Sequence, residues 1–294
     1  MAYIILLRPK DWAKNLFLFI PLFFAGKLFE IDIVLRLILG FIAVSLIASS
    51  VYILNDYKDI ESDKLHPEKC KRPLASGAVT VTGAFILFFL CLAGGFLLAW
   101  SVDLKFLALL AIYFAMNVCY SMGLKNISIL DILIIAIGFS LRLKIGAVIA
   151  HLPLTEWLTI MVFLLALFMA IAKRTDDMYI KKESGVEIRK SSKGYSMELL
   201  NILLAIVAAV IIITYMLYTL SPMIIARLGT YRLYYTSLFL VAGLFRYLQI
   251  VYINKDSGSP TKILYKDRFL QIVIFLWILS FYIILYLPKV KLFH

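Results

Sequence analysis

Three aspartates with helical spacing follow directly on a long apolar run, in the segment NDYKDIESD (55–63). Asp56, Asp59 and Asp63 are spaced i, i+3, i+7, so a helix places their carboxylates on one stripe, with Asn55 beside them. Carboxylates stacked in this way repel one another and need a cation. Hard oxygen ligands that face one way suit Mg²⁺ shared with the phosphates of a ligand. The stripe therefore predicts a Mg²⁺ site, the alternative being a solvated helix end that nearby lysines balance.

Basic residues follow the acidic stripe at once in HPEKCKRPLASG (66–77), which contains Lys69 and Arg72. Acids alone suit a metal, whereas acids with lysine and arginine close by suit a metal together with a highly anionic substrate. The cations then hold the phosphate oxygens that the metal leaves free. The two segments together predict a site for a metal-bound, phosphorylated ligand.

A second polar constellation follows the sixth apolar run, in AKRTDDMYIKKESGVEIRKSSKGYS (172–196). Lys173 and Asp177 are spaced i, i+4 and share a helix face. The alternative is an ordinary basic loop on the cytoplasmic side, which we favour for Lys181 and Lys182. The candidates for function in this segment are Lys173, Arg174, Asp177, Arg189, Lys190, Ser191 and Tyr195.

Three cations, Arg142, Lys144 and Arg246, lie well inside apolar runs. A cation in such a position needs an acid, a carbonyl group or an anionic ligand as its partner. Acids are scarce within these runs, and Asp131 is one of them. A lipid phosphate or sugar phosphate is the natural partner, and a structural arginine that caps a broken helix is the alternative.

Membrane helices must position these residues, because the 294-residue chain is 63% hydrophobic and only 16% charged, with a mean hydropathy of +0.94. Such a composition is typical of an integral membrane protein. Runs long enough to cross about 30 Å of hydrocarbon predict an all-α protein with about nine transmembrane helices. They cover roughly 12–29, 31–54, 80–101, 104–121, 128–150, 155–172, 197–220, 231–253 and 269–287.

The distribution of charge predicts the orientation in the membrane. Most of the 30 lysine and arginine residues lie on the side that holds the N-terminus and the polar loops 55–79, 173–196 and 254–268. The positive-inside rule places that side in the cytoplasm. The net charge of +12 is thus one-sided, and we expect no binding to nucleic acid. We also expect no signal peptide, no disulfide and no zinc site, since the three cysteines form no CxxC pair.

With these motifs the sequence resembles the membrane prenyltransferases of UbiA type. Their NDxxDxxxD motif after the second helix is matched by Asn55, Asp56, Asp59 and Asp63. The resemblance implies a single UbiA-type domain over 1–294, with nine helices in a bundle around a cytoplasm-facing polar cavity. Most members carry a second acidic motif, DxxxD, after helix six, where this chain has KRTDD instead.

That departure indicates one branch, the polyprenyl-phosphate phosphoribosyltransferases, which the chain resembles from end to end. RPKDWAKN (8–15) resembles the RPxQWxKN motif of that branch, and 55–77 resembles its NDxxDxxxDxxHPxKxxRPxAxG pattern. Further segments of this chain that resemble the branch are YSMGLKNISILD, GFSLRLKIGA, KRTDD, GVEIRKSSKGYS and RYLQI with GSPTKILYKDR. The chain departs from the branch at Asp11, where Gln is usual, and at Asp177, where Glu is usual.

The resemblance implies Mg²⁺-dependent transfer of 5-phosphoribose from phosphoribosyl pyrophosphate to a polyprenyl phosphate in the cytoplasmic membrane, with release of pyrophosphate. The implied metal ligands are Asp56, Asp59 and Asp63, which are also catalytic candidates together with Lys173, Arg174 and Asp177. The implied substrate-binding residues are Lys14, Asn15, Asn55, Lys69, Arg72, Tyr120, Lys125, Arg142, Arg189, Lys190, Ser191, Tyr195 and Arg246.

Two alternatives remain open from the sequence. One is a UbiA-type enzyme that uses an isoprenoid diphosphate to alkylate an aromatic or lipid acceptor. The other is a membrane transporter or lipid-binding scaffold without enzymatic activity.

Overall fold

The computed structural model describes residues 1–64, 69–184, 190–254, 263 and 266–286, and these are almost entirely helical. The α-helices are α1 (Ala2–Leu6), α2 (Ile20–Phe24), α3 (Ile31–Lys58), α4 (Ile60–Lys64), α5 (Val81–Val102), α6 (Leu104–Met122), α7 (Leu130–Ile149), α8 (Glu156–Ser184), α9 (Met197–Thr219), α10 (Pro222–Leu228), α11 (Ser237–Gln249) and α12 (Arg268–Tyr286). Short 3-10 helices cover Lys69–Lys71, Leu124–Asn126, Lys190–Gly194 and Arg232–Thr236, and a π-helical turn covers Ile250–Asn254. The described residues contain no strand, so the predicted all-α class is confirmed.

Eight helices in the described part of the chain are long and apolar enough to cross a membrane. They are α3, α5, α6, α7, α8 over Glu156–Lys182, α9, the segment Arg232–Ile253 that contains α11, and α12. The protein is therefore an integral membrane protein, as the sequence predicts. Helix α8 continues to Ser184, about three turns beyond its predicted end at 172. Lys173, Arg174 and Asp177 thus lie on the same helix as the sixth apolar run.

The first predicted span, 12–29, has a different form. It consists of an 11-residue 3-10 helix, Pro9–Phe19, here called the N-terminal 3-10 segment, followed by the five-residue helix α2. A 3-10 helix rises about 2.0 Å per residue, so this segment and α2 together have a contour of about 30 Å. Arg8 precedes the segment with left-handed φ and ψ of 52° and 58°, and Pro9 supplies a fixed φ at its first position.

Side-chain hydrogen bonds attach the N-terminal 3-10 segment to α3. Trp12 Nε1 donates to Ser49 Oγ at 3.0 Å, and Asn15 Nδ2 donates to Ser45 Oγ at 2.9 Å. Ser45 and Ser49 are four residues apart and therefore face the segment together. A polar ladder of this kind compensates for the polar groups that a segment rich in Trp, Lys and Asn brings to an apolar environment.

The chain divides into two compact units, of which unit 1 contains residues 1–124 and 140–154. In unit 1, α3 packs against α5, α6 and the N-terminal 3-10 segment. Its core includes Leu18, Leu22, Leu37, Val44, Ile47, Phe106, Leu110, Tyr113, Ile145 and Ile149. A Cβ atom on Gly146 would lie 2.8 Å from the Cα atom of Leu18 and even closer to the carbonyl group of Leu18. Glycine at this position therefore lets the segment approach α7 closely.

Unit 2 contains the described residues of 125–139 and 155–294. Within it α8 packs against α9, and α11 packs against α12. The core includes Ile132, Phe168, Ile171, Leu200, Leu204, Ile211, Tyr247 and Leu270. A buried pair of hydrogen bonds joins the Tyr215 hydroxyl to Thr236 at 2.6 Å and to Trp277 Nε1 at 2.9 Å. The expectation of one domain over 1–294 stays a prediction.

Candidate active site

Asp56 lies in the last turn of α3, and its buried carboxylate contacts two arginines. A guanidinium nitrogen of Arg8 donates to Oδ1, and Nη1 of Arg72 donates to the same oxygen from 3.1 Å. The guanidinium carbon of Arg8 also lies 5.2 Å from the centre of the Tyr52 ring, which is a cation–π contact. A buried carboxylate needs compensation of this kind, because its desolvation is costly.

Arg72 connects Asp56 to a second buried carboxylate, that of Asp63. Its Nη1 atom donates to Asp63 Oδ2 at 2.7 Å. Helix α3 ends at Lys58; Asp59 follows as its C-cap with φ and ψ of −97° and 6°, and α4 begins at Ile60. The Asp63 N–H still donates to the Asp59 carbonyl oxygen at 2.8 Å, so the helical turn continues through the break. The structure therefore brings Asp56 and Asp63 to one guanidinium group, with Asp59 half-buried between them in sequence.

The oxygen donors of this cluster fit Mg²⁺. Hard carboxylate oxygens are the ligands that Mg²⁺ prefers, and it usually takes one or two of them together with phosphate oxygens and waters. A single cationic nitrogen of Arg72 already contacts one oxygen of Asp56 and one of Asp63. Among the described residues, no three His, Cys, Asp or Glu side chains are arranged as a ready metal site. Because the side chain of Asp56 is only 2% exposed, a metal reaches it only where Arg8 or Arg72 gives way.

Arg142 forms a separate polar cluster inside unit 1. Its side chain is buried within α7, where Nε donates to Asn15 Oδ1 at 2.9 Å and Nη2 donates to the Tyr113 hydroxyl at 2.6 Å. The guanidinium carbon lies 4.9 Å from the centre of the Tyr113 ring. Arg142, the candidate for binding a lipid phosphate, is thus held in position by an amide, a hydroxyl group and an aromatic face.

Unit 2 contains a buried ion network centred on Arg174, which is 1% exposed. Its Nε donates to Asp131 Oδ2 and its Nη1 donates to Asp177 Oδ2, each at 2.7 Å. Asp131, one of the few acids within the apolar runs, therefore pairs with Arg174 of α8. Two carboxylates against one guanidinium leave a formal charge of −1 on these three residues.

Tyr195 joins this network to the turn that precedes α7. Its hydroxyl donates to Asp131 Oδ1 at 2.6 Å and accepts from the Ile129 N–H at 2.7 Å. Burial and the hydrogen bond to Asp131 raise the pKa of Tyr195 well above its usual range, so the hydroxyl keeps its proton. Ser128 Oγ donates to the Ser191 carbonyl oxygen at 2.7 Å, which fastens the 3-10 helix Lys190–Gly194 to the same turn. Ile129 has a φ of 69°, a strained value for a β-branched residue.

The other predicted site residues lie outside these clusters or at their edges. Lys14 pairs with Asp11 at 2.6 Å on an exposed surface. Arg246 pairs with Asp267 at 2.7 Å, and the hydrogen bond from Arg246 lowers the pKa of Asp267. The half-buried members are Asn55, Lys69, Tyr120, Lys125 and Lys173, whereas Ser191 is buried. Arg189 and the side chain of Lys190 lie outside the described residues.

Three residues of these clusters were not among the predicted site residues. Arg8 is 48 residues from Asp56 in sequence, and its only signal was its place in the RPKDWAKN motif. Tyr113 carries no signal, because it is one of 17 tyrosines in an aromatic-rich chain. Asp131 had the clearest one, an acid beside an apolar run that needs a partner.

Apolar helices that carry buried acids and arginines define an integral membrane protein with polar clusters among its spans. Residues 16–279 match the UbiA prenyltransferase family, and the chain belongs to that family. It is accordingly a transferase, which removes the alternative of a transporter or scaffold without enzymatic activity.

Curated relatives cover most of the chain. The decaprenyl-phosphate phosphoribosyltransferase of Mycolicibacterium smegmatis is 32% identical over 280 residues, which are 92% of this chain and 88% of the relative. The protein of the same name from Corynebacterium glutamicum is 28% identical and covers 96% of this chain and 86% of its own length. The 4-hydroxybenzoate octaprenyltransferase of Haemophilus ducreyi is 30% identical over 186 residues, which are 63% of this chain and 62% of that enzyme.

Solved structures share the fold. A UbiA homolog from Archaeoglobus fulgidus, bound to GPP and Mg²⁺, superposes with a TM-score of 0.72 at 20% identity, covering 97% of this chain and 99% of that one. A digeranylgeranylglyceryl phosphate synthase superposes with a TM-score of 0.68 at 19% identity, covering 97% of this chain and 98% of that one. These similarities establish a UbiA fold for this chain.

Proposed function

We propose that this enzyme transfers 5-phosphoribose from phosphoribosyl pyrophosphate to a polyprenyl phosphate, giving polyprenylphosphoryl-5-phosphoribose and pyrophosphate. The observation that carries the proposal is the relationship to proteins named decaprenyl-phosphate phosphoribosyltransferase, which extends over 92% of the chain or more. The buried ion network supports it. In the KRTDD segment Asp177 shares the guanidinium group of Arg174 with Asp131, an arrangement that differs from a DxxxD pair of metal ligands.

In the proposed reaction Asp56, Asp59 and Asp63 would hold Mg²⁺. When bound there, the metal would supply positive charge against the charge that develops on the leaving diphosphate. Arg72, with Lys69 and Lys14, holds the remaining phosphate oxygens of the donor. Arg72 is suited to this task because one of its guanidinium nitrogens contacts both carboxylates in the structure, and its planar fork matches the geometry of a phosphate group.

The bond from C1 of ribose to the diphosphate oxygen breaks, and a bond from C1 to an oxygen of the acceptor phosphate forms. Both electrons of the broken bond leave with pyrophosphate, and C1 gains oxocarbenium character on the way. The acceptor phosphate is already an anion, so no residue has to remove a proton from it. The work left to the protein is to hold two anions in line and to screen their repulsion.

We assign the remaining predicted residues to phosphate binding and to its support. In this proposal Arg142 holds the acceptor phosphate, with Asn15 and Tyr113 fixing its guanidinium group. Lys173, Lys190 and Arg189 hold the 5-phosphate and hydroxyl groups of ribose. Arg174, Asp177, Ser191 and Tyr195 keep the end of α8 and the 3-10 helix Lys190–Gly194 in position. Further candidates for contact with substrate are Asn55, Tyr120, Lys125 and Arg246.

The same proposal includes the location of the reaction. In this proposal the protein lies in the cytoplasmic membrane, and the basic residues of the polar loops support a cytoplasmic location of these loops and the N-terminus. A soluble donor such as phosphoribosyl pyrophosphate then meets a lipid acceptor whose tail stays in the bilayer.

A labelled-donor assay tests the proposal directly. Membranes that contain the full chain are incubated with Mg²⁺, polyprenyl phosphate and ribose-labelled phosphoribosyl pyrophosphate, and the lipid extract is analysed for label. We expect labelled lipid from the wild type and none from Asp56→Asn, which keeps the shape of the side chain but removes its charge. No labelled lipid from wild-type membranes with intact protein would refute the donor assignment.

A second candidate is prenyl transfer from an isoprenoid diphosphate to an aromatic or lipid acceptor. It is favoured by the fold shared with a UbiA homolog whose structure holds GPP and Mg²⁺. The same membranes incubated with labelled geranyl or farnesyl diphosphate distinguish the two candidates, because consumption of that donor in place of phosphoribosyl pyrophosphate would establish the second.

A further inference from the structure

The contact between Arg8 and Asp56 conflicts with metal binding at the same carboxylate. Arg8 and Arg72 both donate to Oδ1 of Asp56, and the side chain of Asp56 is only 2% exposed. An oxygen atom that accepts from two guanidinium groups has little room for a divalent cation as well. The side chain of Asp56 is so deeply buried that a cation reaches either carboxylate oxygen only where a neighbouring side chain moves, and Arg8 and Arg72, at 25% and 28% exposed, are contacting groups with solvent beside them.

We infer that Arg8 exchanges between Asp56 and the diphosphate of the donor, so that it becomes a donor-binding residue when Mg²⁺ takes Asp56. This inference rests on the proposed metal and diphosphate chemistry. Before the metal binds, Arg8 neutralises Asp56. When the metal takes Asp56, the guanidinium group of Arg8 is released next to the diphosphate that is bound to the metal.

The charges of the cluster support this exchange. Asp56 and Asp63 carry two negative charges, and Arg8 and Arg72 carry two positive ones, so these four groups are balanced. Mg²⁺ alone would add two positive charges beside two guanidinium groups, which is unfavourable. Mg²⁺ with a diphosphate adds the anion that the released arginines need. Metal and diphosphate should therefore bind cooperatively, and each should raise the affinity for the other by the same factor.

The backbone of Arg8 is held in place, so the exchange involves only the side chain. Its N–H donates to the Ile5 carbonyl oxygen at 3.1 Å. Four residues later Trp12 fastens the N-terminal 3-10 segment to Ser49 of α3. The side chain is 25% exposed and lies over the Tyr52 ring, so the guanidinium group has solvent on one side and an aromatic surface along which to move.

A purely structural role for Arg8 makes the opposite prediction. If the ion pair with Asp56 only attached the N-terminal 3-10 segment to α3, its loss would disorder the segment and weaken the binding of every ligand. Trp12 and Asn15 already make that attachment through Ser49 and Ser45. Removal of Arg8 should therefore raise the affinity for the metal alone and lower the affinity for the diphosphate.

The experiment measures two affinities of the full-length protein in detergent. Mn²⁺ replaces Mg²⁺ as a spectroscopic probe, and its binding is followed by electron paramagnetic resonance without any phosphate ligand. Binding of inorganic pyrophosphate in the presence of Mg²⁺ is followed by titration calorimetry. Pyrophosphate is the leaving group of the proposed reaction and shares its diphosphate with isoprenoid donors, so the result does not depend on which donor the enzyme uses.

For Arg8→Gln we expect Mn²⁺ alone to bind about threefold more tightly, because a competing cation is gone. We expect pyrophosphate with Mg²⁺ to bind about tenfold more weakly, which corresponds to about 1.4 kcal/mol. Lys10→Gln is the matched control, since Lys10 is an exposed cation of the same segment, and it should change neither affinity. Arg8→Lys keeps the charge but loses the planar fork, so it should bind Mn²⁺ like the wild type and pyrophosphate several-fold more weakly.

Equal weakening of both ligands in Arg8→Gln would overturn the inference in favour of a structural role, and so would no change in either. Arg8→Lys decides the question if Arg8→Gln does not fold. Asp56→Asn separates this inference from the proposal beneath it. If Asp56→Asn binds Mn²⁺ with pyrophosphate as well as the wild type does, the metal assignment fails and the exchange fails with it. If only the Arg8 result is negative, the metal assignment and the labelled-donor assay stand.

Discussion

Replacement of Arg174 by methionine should destabilise the protein more than any loss of a surface ion pair. Methionine fills much of the same length but carries no charge, so Asp131 and Asp177 would each lose a hydrogen bond of 2.7 Å. Their side chains are 0% and 8% exposed, so water cannot replace the guanidinium group. Removal of one partner from a buried ion pair costs about 3–5 kcal/mol, and we expect a loss in this range for Arg174→Met.

Arg246→Met is the matched control in the same unit. Arg246 pairs with Asp267 at the same distance of 2.7 Å, but its side chain is 32% exposed. Loss of an exposed pair costs about 1 kcal/mol or less. The free energy of unfolding is measured for the full chain in mixed micelles by titration with sodium dodecyl sulfate, with tryptophan fluorescence as the signal.

A triple variant tests whether charge or packing causes the loss. Arg174→Met combined with Asp131→Asn and Asp177→Asn leaves no buried charge in the network. Because neutral replacement of a whole buried ion network is often tolerated, we expect at least half of the lost stability to return. The reasoning would be refuted if Arg174→Met cost no more than Arg246→Met. It would also be refuted if the triple variant were as unstable as the single one, since lost packing would then explain the effect.

Three further predictions concern backbone strain, close packing and pH. Ile129→Gly should raise the free energy of unfolding by about 1 kcal/mol, because relief of the left-handed φ of 69° exceeds the entropic cost of glycine. Gly146→Ala should cost about 1–3 kcal/mol and abolish transfer, because the new Cβ meets the backbone of the N-terminal 3-10 segment. Gly40→Ala should be close to neutral, because its Cβ meets only the tip of a flexible isoleucine; equal losses in both variants would contradict this reasoning. The pKa of Asp267 is lowered by the hydrogen bond from Arg246, so the stability from this pair is present above the ordinary aspartate pKa of about 4. It should be lost as the pH falls through the lowered pKa, and unfolding curves of Arg246→Gln should show less of this loss, because the backbone hydrogen bonds from Leu270 and Phe269 remain.

The sequence was sufficient to predict the apolar helices and the acidic end of α3. Both are local features, since a run of apolar residues and an i, i+3, i+7 spacing depend only on neighbours along the chain. The helix break at Asp59 did not separate Asp56 from Asp63, because α4 continues the turn and Arg72 contacts both.

The partners of the charged residues were not predictable in the same way. Arg142 was expected to need an acid or an anionic ligand, and the structure surrounds it with Asn15 and Tyr113, which lie 127 and 29 residues away. Arg174 was expected to meet a substrate, and it is buried between two aspartates. Which cation pairs with which anion depends on how helices that are distant in sequence pack together, and this packing cannot be predicted from a single sequence.

The form of the first span also lay beyond the sequence. Pro21 and Lys27 interrupt the apolar run of this span and make it weak, and length and composition do not distinguish a 3-10 helix from an α-helix. Ser45 and Ser49 of α3 hold the segment by hydrogen bonds that no local pattern encodes.

The N-terminal 3-10 segment has a consequence for the biogenesis of the protein. A nascent segment that carries Lys10, Asp11, Lys14 and Asn15 is too polar to partition into the bilayer by itself. Trp12 and the amide N–H of Asn15 donate to serines of α3, and the amide oxygen of Asn15 accepts from Arg142 of α7; both helices emerge later from the ribosome. We therefore expect the N-terminal 3-10 segment to remain at the membrane surface until α3 has inserted, and then to insert by packing against α3. A chain truncated before α3 should remain extractable from membranes by alkali, whereas one that ends after α3 should not.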